Sequence, residues 1–102
     1  MAKGMLLVQS RPASPAEADA FHHWYDDVHV PEVLALDGFV AARRLEAAGG
    51  ETYAVVYECD DVDVAKAALA AAQSSGSMTR PVSVQLDPPP TVLWLEDLGP
   101  RR

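Results

Sequence analysis

Phe21-His22-His23-Trp24-Tyr25-Asp26-Asp27-Val28-His29-Val30-Pro31-Glu32-Val33-Leu34 is the stretch on which the reading of this chain turns. It holds all three histidines and one of the two tryptophans, beside three aspartate or glutamate side chains and a tyrosine. As a helix at about 100° per residue it has one apolar face of Ala18, Phe21, Trp24, Tyr25 and Val28. Asp19, His23, Asp27 and Val30 lie opposite, toward water. His22, Asp26 and His29 form a flank beside the apolar stripe. His22 and Asp26 are i, i+4 and Asp26 and His29 are i, i+3, so the three are expected to touch. Pro31 restricts Val30 and is expected to end or kink the helix. His29 then falls in the last turn, where the helix dipole favours imidazolium.

Three readings of this flank stand side by side. It is a solvated helix edge; or a general acid/base site, with His29 carrying the proton and Tyr25 or Asp26 orienting it; or a metal site of His22, Asp26 and His29. The acid/base reading draws on a group that titrates near neutrality beside an apolar wall. The metal reading is weakened by spacing. Helical zinc motifs place two histidines at i, i+4, whereas His22 and His29 are i, i+7. No metal is expected.

Outward from this stretch the elements follow in order. Gly4 to Gln9 predicts a strand that is apolar on both sides and so buried on two faces. Ser14-Pro15-Ala16-Glu17 is a helix start, with Ser14 as N-cap and Glu17 closing a capping box. The helix runs from Pro15 to about His29, with a further turn from Pro31 to Leu36. Asp37-Gly38 breaks it. Phe39 to Ala48 is the second strand, with Phe39, Ala41, Arg43 and Leu45 on one side and Val40, Ala42, Arg44 and Glu46 on the other. Gly49-Gly50 marks a hairpin into Thr52 to Cys59. Asp60 or Asp61 caps a second helix, from about Val62 to Gln73, packing through Val64, Ala67, Ala68 and Ala71. Val82 to Leu86 suggests a short strand or arm. Pro88-Pro89-Pro90 is a stiff spacer, and Thr91 to Asp97 is the last strand.

Strand, helix, strand, strand, helix, strand is the split βαβ order of an α+β, ferredoxin-like βαββαβ chain with a four-stranded antiparallel sheet. Residues 1–102 form a single domain. Two helices cover one sheet face, yet three strands are apolar on both. A partner subunit's sheet is the simplest cover, so a homodimer packed through its sheet faces is expected.

Acids outnumber bases 15 to 8, for a formal charge of −7. Basic residues pair only at Arg43-Arg44 and Arg101-Arg102, which argues against nucleic acid and anionic membrane surfaces as partners. No apolar run approaches the roughly 18 residues of a membrane span. The run Met1 to Val8 reaches Gln9 too soon for a signal peptide, and the lone Cys59 suits a reducing cytoplasm. Absence of Asn and Ile, with only two Lys, suits a GC-rich bacterial genome.

Trp24 to Leu34, followed by Gly38-Phe39-Val40-Ala41-Ala42-Arg43-Arg44, resembles the signature of the EthD-like branch of the dimeric α+β barrel superfamily: an aromatic, His-x-Pro, Gly-Phe and an Arg. The resemblance covers nearly the whole chain. It implies a dimer of ferredoxin-like subunits, each with a pocket between helices and sheet. Its relatives include polyketide cyclases, lactone isomerases, cofactor-free monooxygenases and haem-degrading enzymes. The histidine of the motif, here His29, is the implied proton carrier, with Tyr25 and Asp26 matching the positions before it. Haem-degrading relatives use a pocket asparagine, and this chain has none, so no cofactor is expected. The implied activity is acid/base chemistry on a hydrophobic, aromatic or polyketide-like small molecule, by cyclisation, isomerisation or oxygenation; a non-catalytic binding or accessory protein is the alternative. Candidate substrate contacts are His22, Trp24, Arg43, Tyr57 and Trp94. Arg43 and Arg44 point to opposite faces of the second strand, so one is expected to meet an anionic or enolate substrate and the other to pair with acids of a helix or the partner subunit. A salt bridge for both, and for Tyr57 and Trp94 a place in the core, are the plainer readings.

Overall fold

A computed structural model describes residues 2–101; Met1 and Arg102, half of the terminal basic pair, lie outside it. The chain is α+β. Strands β1 (Gly4–Ser10), β2 (Phe39–Glu46), β3 (Tyr53–Cys59) and β4 (Thr91–Glu96) form one antiparallel sheet in the order β2-β3-β1-β4. β1 is central, with Leu6 opposite Tyr57 on one side and Trp94 on the other.

The helical layer lies on one sheet face. Its first part is a continuous path: a 3-10 turn at Pro15–Glu17, α1 (Ala18–Trp24), a π turn at Tyr25–His29 and α2 (Val30–Leu34). α3 (Val62–Ser75) is the second helix. Between layers sits a core of Leu6, Phe21, Trp24, Tyr25, Val33, Phe39, Val55, Tyr57, Cys59, Val62 and Ala65. Burying one side chain such as Phe21 is worth about 1.5–3 kcal/mol, and that gain holds the layers together. Free Cys59 lies in this core, at a strand end, as a small apolar residue.

Pro31 does not stop the helix. It has no N–H to donate, and its ring would strike the carbonyl one turn earlier in an unbroken α-helix. The wider π turn immediately before it, closed by Val30 N–H donating to the Tyr25 carbonyl, provides the room. The same widening turns Val30 inward, where it packs against the core rather than facing water.

Three other expectations need correction. Ser14 makes no side-chain cap; its hydroxyl donates to the Glu17 carboxylate at 3.2 Å, and the other Glu17 oxygen accepts from Ser83 at 3.1 Å. Glu17 N–H still donates to the Ser14 carbonyl at 3.0 Å, but the side chains tie the helix start to a distant loop. α3 buries Val62, Ala65 and Ala72, while Val64, Ala67 and Ala71 face solvent. A helix of alanines offers little contrast between its faces, so the pattern leaves its rotation open. Asp61 is its N-cap, accepting from Val64 N–H at 3.1 Å. Finally, 82–86 joins no named strand. Pro12 bridges Val84, Ala13 N–H donates to the Ser83 carbonyl at 2.8 Å, and Gln85 N–H donates to the Arg11 carbonyl at 2.9 Å.

β2 carries a bulge between Phe39 and Ala41. Phe39 pairs with Cys59, Ala42 with Tyr57 and Arg44 with Val55. The extra residue reverses the alternation after Phe39. Arg44, not Arg43, therefore shares the helix side with Phe39.

The other sheet face has no helix on it. It presents Met5, Leu93 and Leu95, all exposed, beside half-buried Leu7 and Val56. Register places Met5 next to Leu95, and Leu7 between Val56 and Leu93. Among the described residues no helix is long and apolar enough to cross a membrane.

Candidate functional site

The flank expected to unite His22, Asp26 and His29 divides into two groups. The π turn is the cause. Five residues along an α-helix lie well apart around the axis, but an i→i+5 hydrogen bond brings such residues one above the other. His29 accordingly stacks on Trp24, with centroids 4.4 Å apart and planes 15° from parallel. It also meets the Tyr25 ring edge-on at 5.7 Å. Asp26 is carried away from it.

The first group centres on Arg44. Its Nη1 donates to His22 Nδ1 and to Asp26 Oδ1, each at 3.1 Å. A guanidinium has no acceptor, so His22 Nδ1 accepts and the imidazole proton sits on Nε2. The guanidinium also lies 4.9 Å from the Tyr25 ring centre and 5.7 Å from that of Phe21. His22 in turn stands edge-on to Tyr53 at 4.5 Å.

The second group is Trp24, Tyr25 and His29. The Tyr25 hydroxyl is hydrogen-bonded to Ser10 Oγ at 2.8 Å. Burial raises its pKa, opposed by the Ser10 hydrogen bond and by Arg44. Burial lowers the pKa of His29, opposed by Glu32. Burial thus disfavours the charged imidazole, the reverse of the imidazolium expected from a helix end, and the helical path continues through Pro31. Glu32 is itself held by Thr79, accepting from its hydroxyl at 2.6 Å and its N–H at 3.1 Å; the Thr79 hydroxyl is the largest cause of its lowered pKa. Trp24 Nε1, His29 Nδ1, Arg44 Nε and the Tyr57 hydroxyl are buried without a hydrogen-bond partner among the described residues. Burial, and next the nearby Tyr25, raise the pKa of Tyr57, with Arg44 opposing.

The lowered value gives His29 a pH signature. The unfolded imidazole titrates at 6.5, so below that the unfolded chain binds the proton first. Stability contributed by neutral His29 is complete above 6.5 and is lost as pH falls through the lowered folded value. Urea unfolding of His29→Phe at closely spaced pH values should show a flatter loss of stability just below 6.5 than wild type. Parallel curves would refute the burial account.

Of the remaining sequence candidates, Arg43 is exposed on the face away from the helices and contacts neither group. Tyr57 is a core residue, 1% exposed. Trp94 is half-buried on the helix side, 6.1 Å from Phe39. His23 is at the surface, paired with Asp27 at 2.7 Å. Ser10 and Tyr53 are the neighbours of these groups that sequence reasoning passed over, while Arg44 is the arginine of the pair that meets a helix acid, Asp26. Only Tyr25 offered a signal for Ser10, since a buried phenol requires a partner.

Two open cavities lie near these groups. One of about 230 Å³ is lined by Ser10, Gln85 and Pro88 to Pro90. The other, about 420 Å³, is lined by Arg11 to Pro15, Ala18, Glu51, Tyr53 and Gln85. Ser10 joins the first to Tyr25, and Tyr53 joins the second to His22. His29 lines neither. No cluster of three or more His, Cys, Asp or Glu suited to a metal ion occurs among the described residues. No family model, curated protein or solved structure matches the chain.

Proposed function

We propose that this protein is an EthD-like, ferredoxin-like subunit of a homodimeric α+β barrel that performs acid/base chemistry on a hydrophobic, aromatic or polyketide-like small molecule without a bound cofactor. The observation that carries the reading is His29. It is a neutral imidazole held between Trp24 and Tyr25, with Nδ1 unpartnered. A base kept uncharged beside an apolar wall suits removal of a proton from carbon next to a carbonyl. Nδ1 is buried, so Nε2 would accept that proton, the carbon–hydrogen electron pair would pass into the enolate, and the imidazolium would return the proton to carbon or oxygen. Tyr25 would link this base to the cavity wall through Ser10. Asp26 would serve by holding Arg44 rather than by touching His29.

Exchange with D2O tests this without knowledge of the natural substrate. The protein should accelerate exchange at the α-carbon of hydroxylated 1-tetralones, and His29→Gln should lose about 100-fold of that acceleration. Equal exchange by wild type and variant rules His29 out as the base.

One observation favours a second reading, a binding protein that converts nothing: His29 lines neither cavity. That reading requires tetralones to bind saturably and emerge without deuterium.

The pairing of subunits draws on the uncovered apolar face of Met5, Leu7, Val56, Leu93 and Leu95. Exposed patches of this kind mark interfaces, and a twofold pairing of sheets would cover both copies at once.

A further inference from the structure

We infer that the cavity between the 11–15 loop and the Glu51 turn is a binding site for a small planar aromatic monocarboxylate, with Arg11 taking the carboxylate and Tyr53 the ring. The inference goes beyond proton transfer at His29 and does not depend on it.

Size comes first. At about 420 Å³ the cavity falls among small-molecule sites, which occupy roughly 300–1,000 Å³. Part of its wall is apolar and stiff. Pro12, Pro15 and Ala18 contribute no flexible side chain. Tyr53 is already fixed, its ring 4.5 Å from His22 and 5.5 Å from Phe21. An aromatic ligand packing on it orders little that is not ordered already.

The rim is fixed as well. Loop 11–13 is laced to 83–85 by the Pro12–Val84 bridge and by the hydrogen bonds of Ala13 and Gln85. A side chain on that loop, Arg11, is therefore presented from an ordered backbone.

Arg11 supplies the recognition. Its only ion pair among the described residues is with Glu51, at 3.8 Å, and the Glu51 side chain is 87% exposed. A loose surface pair of this kind contributes little, so an incoming carboxylate can displace it. A planar carboxylate meets a guanidinium through two parallel hydrogen bonds, which Glu51 does not make here. The formal charge of −7 favours a monoanion over a polyanion. A polyanion would be repelled by the acidic surface, whereas a monoanion seated at Arg11 is shielded beyond about 8 Å at physiological salt.

The test is titration of the full chain with 2-naphthoate and, separately, with its neutral isostere 2-naphthamide, followed by backbone amide NMR. Naphthoate should shift the amides of Arg11, Ala13, Ala18, Glu51 and Tyr53 saturably. Naphthamide should bind about tenfold more weakly, the loss of one charge-assisted contact. Arg11→Gln should weaken naphthoate to the naphthamide level, and Glu51→Gln should tighten it by removing the competing carboxylate. Arg11 and Glu51 are surface side chains, so both variants keep the fold. No saturable shift at these amides, or an Arg11→Gln affinity equal to wild type, overturns the inference. Naphthoate binding without tetralone exchange upholds this site and sinks the proton-transfer reading; His29-dependent exchange without naphthoate binding does the reverse.

Discussion

If the sheets pair as proposed, the wild-type chain is expected to sediment as a dimer and a Leu93→Glu variant, at the same concentration, as a monomer. Leu93 sits on β4 opposite Leu7 of the central strand, on the face without helices. It is 48% exposed in the single subunit. Within one subunit a glutamate there still reaches water, so the fold should survive and the amide spectrum should stay dispersed. In a face-to-face pair two such carboxylates would be stripped of water among Met5, Leu7 and Leu95. Each unpaired buried charge costs several kcal/mol. Two of them would raise the dissociation constant more than about a thousandfold, at 1.4 kcal/mol per factor of ten. Arg43→Glu, on the same face but already polar, should weaken the pair far less. A monomeric wild type, or a Leu93→Glu variant that still sediments as a dimer, removes sheet pairing from the proposal.

Gly38→Ala is expected to lower the melting temperature by about 12 °C or more. Two costs combine. Gly38 has φ +91°, where an L side chain is strained by about 1–2 kcal/mol. Its added Cβ would also lie 2.5 Å from Ala65 N and 2.7 Å from Ala65 Cα. Those are backbone atoms of α3 and cannot rotate away, so the helix must lift off the end of β2, at about 1–3 kcal/mol for such overpacking. A total near 3 kcal/mol corresponds to the stated shift, at about 4–8 °C per kcal/mol for a domain of this length. Gly50→Ala separates the two costs. Gly50 also has positive φ, at +78°, but a Cβ there meets nothing within 4 Å. It should lose only the backbone part. Equal losses at both glycines would show that the close approach of Gly38 to Ala65 is unimportant.

The same glycine shows what can be read from sequence. Asp37-Gly38 was legible as a break because a glycine after a helical run signals positive φ. That Ala65 packs against it was not legible, since nothing local to residue 38 mentions residue 65. Candidate-site residues divide along the same line. Tyr25 and His29 stood out by chemistry, and their neighbours were misassigned by geometry. His22 and Asp26 were joined to His29 by helical spacing, and the structure joins them to Arg44 instead.

By itself the sequence determined the order and kind of the main elements, a helix cap at Asp60 or Asp61, the two-faced apolar character of β1, β3 and β4, and the breaks at Gly38, Gly49-Gly50 and Gly76. These depend on short-range rules: which residues tolerate which backbone angles, and whether apolar side chains recur every two or every three to four positions. Tertiary structure alone decided the phase within those elements. The bulge at Val40 reverses β2 and exchanges Arg43 for Arg44, and no alternation could reveal it where Val40, Ala41 and Ala42 are all small or apolar. The rotation of α3 is set by the sheet it lies on, because its alanines are nearly equivalent. The π turn is chosen where Pro31 needs room and Trp24, Tyr25 and Val30 need burial at once. A local rule fixes the period of a segment. Only packing against the rest of the chain, where one extra residue turns every later side chain to a new direction, fixes where that period begins.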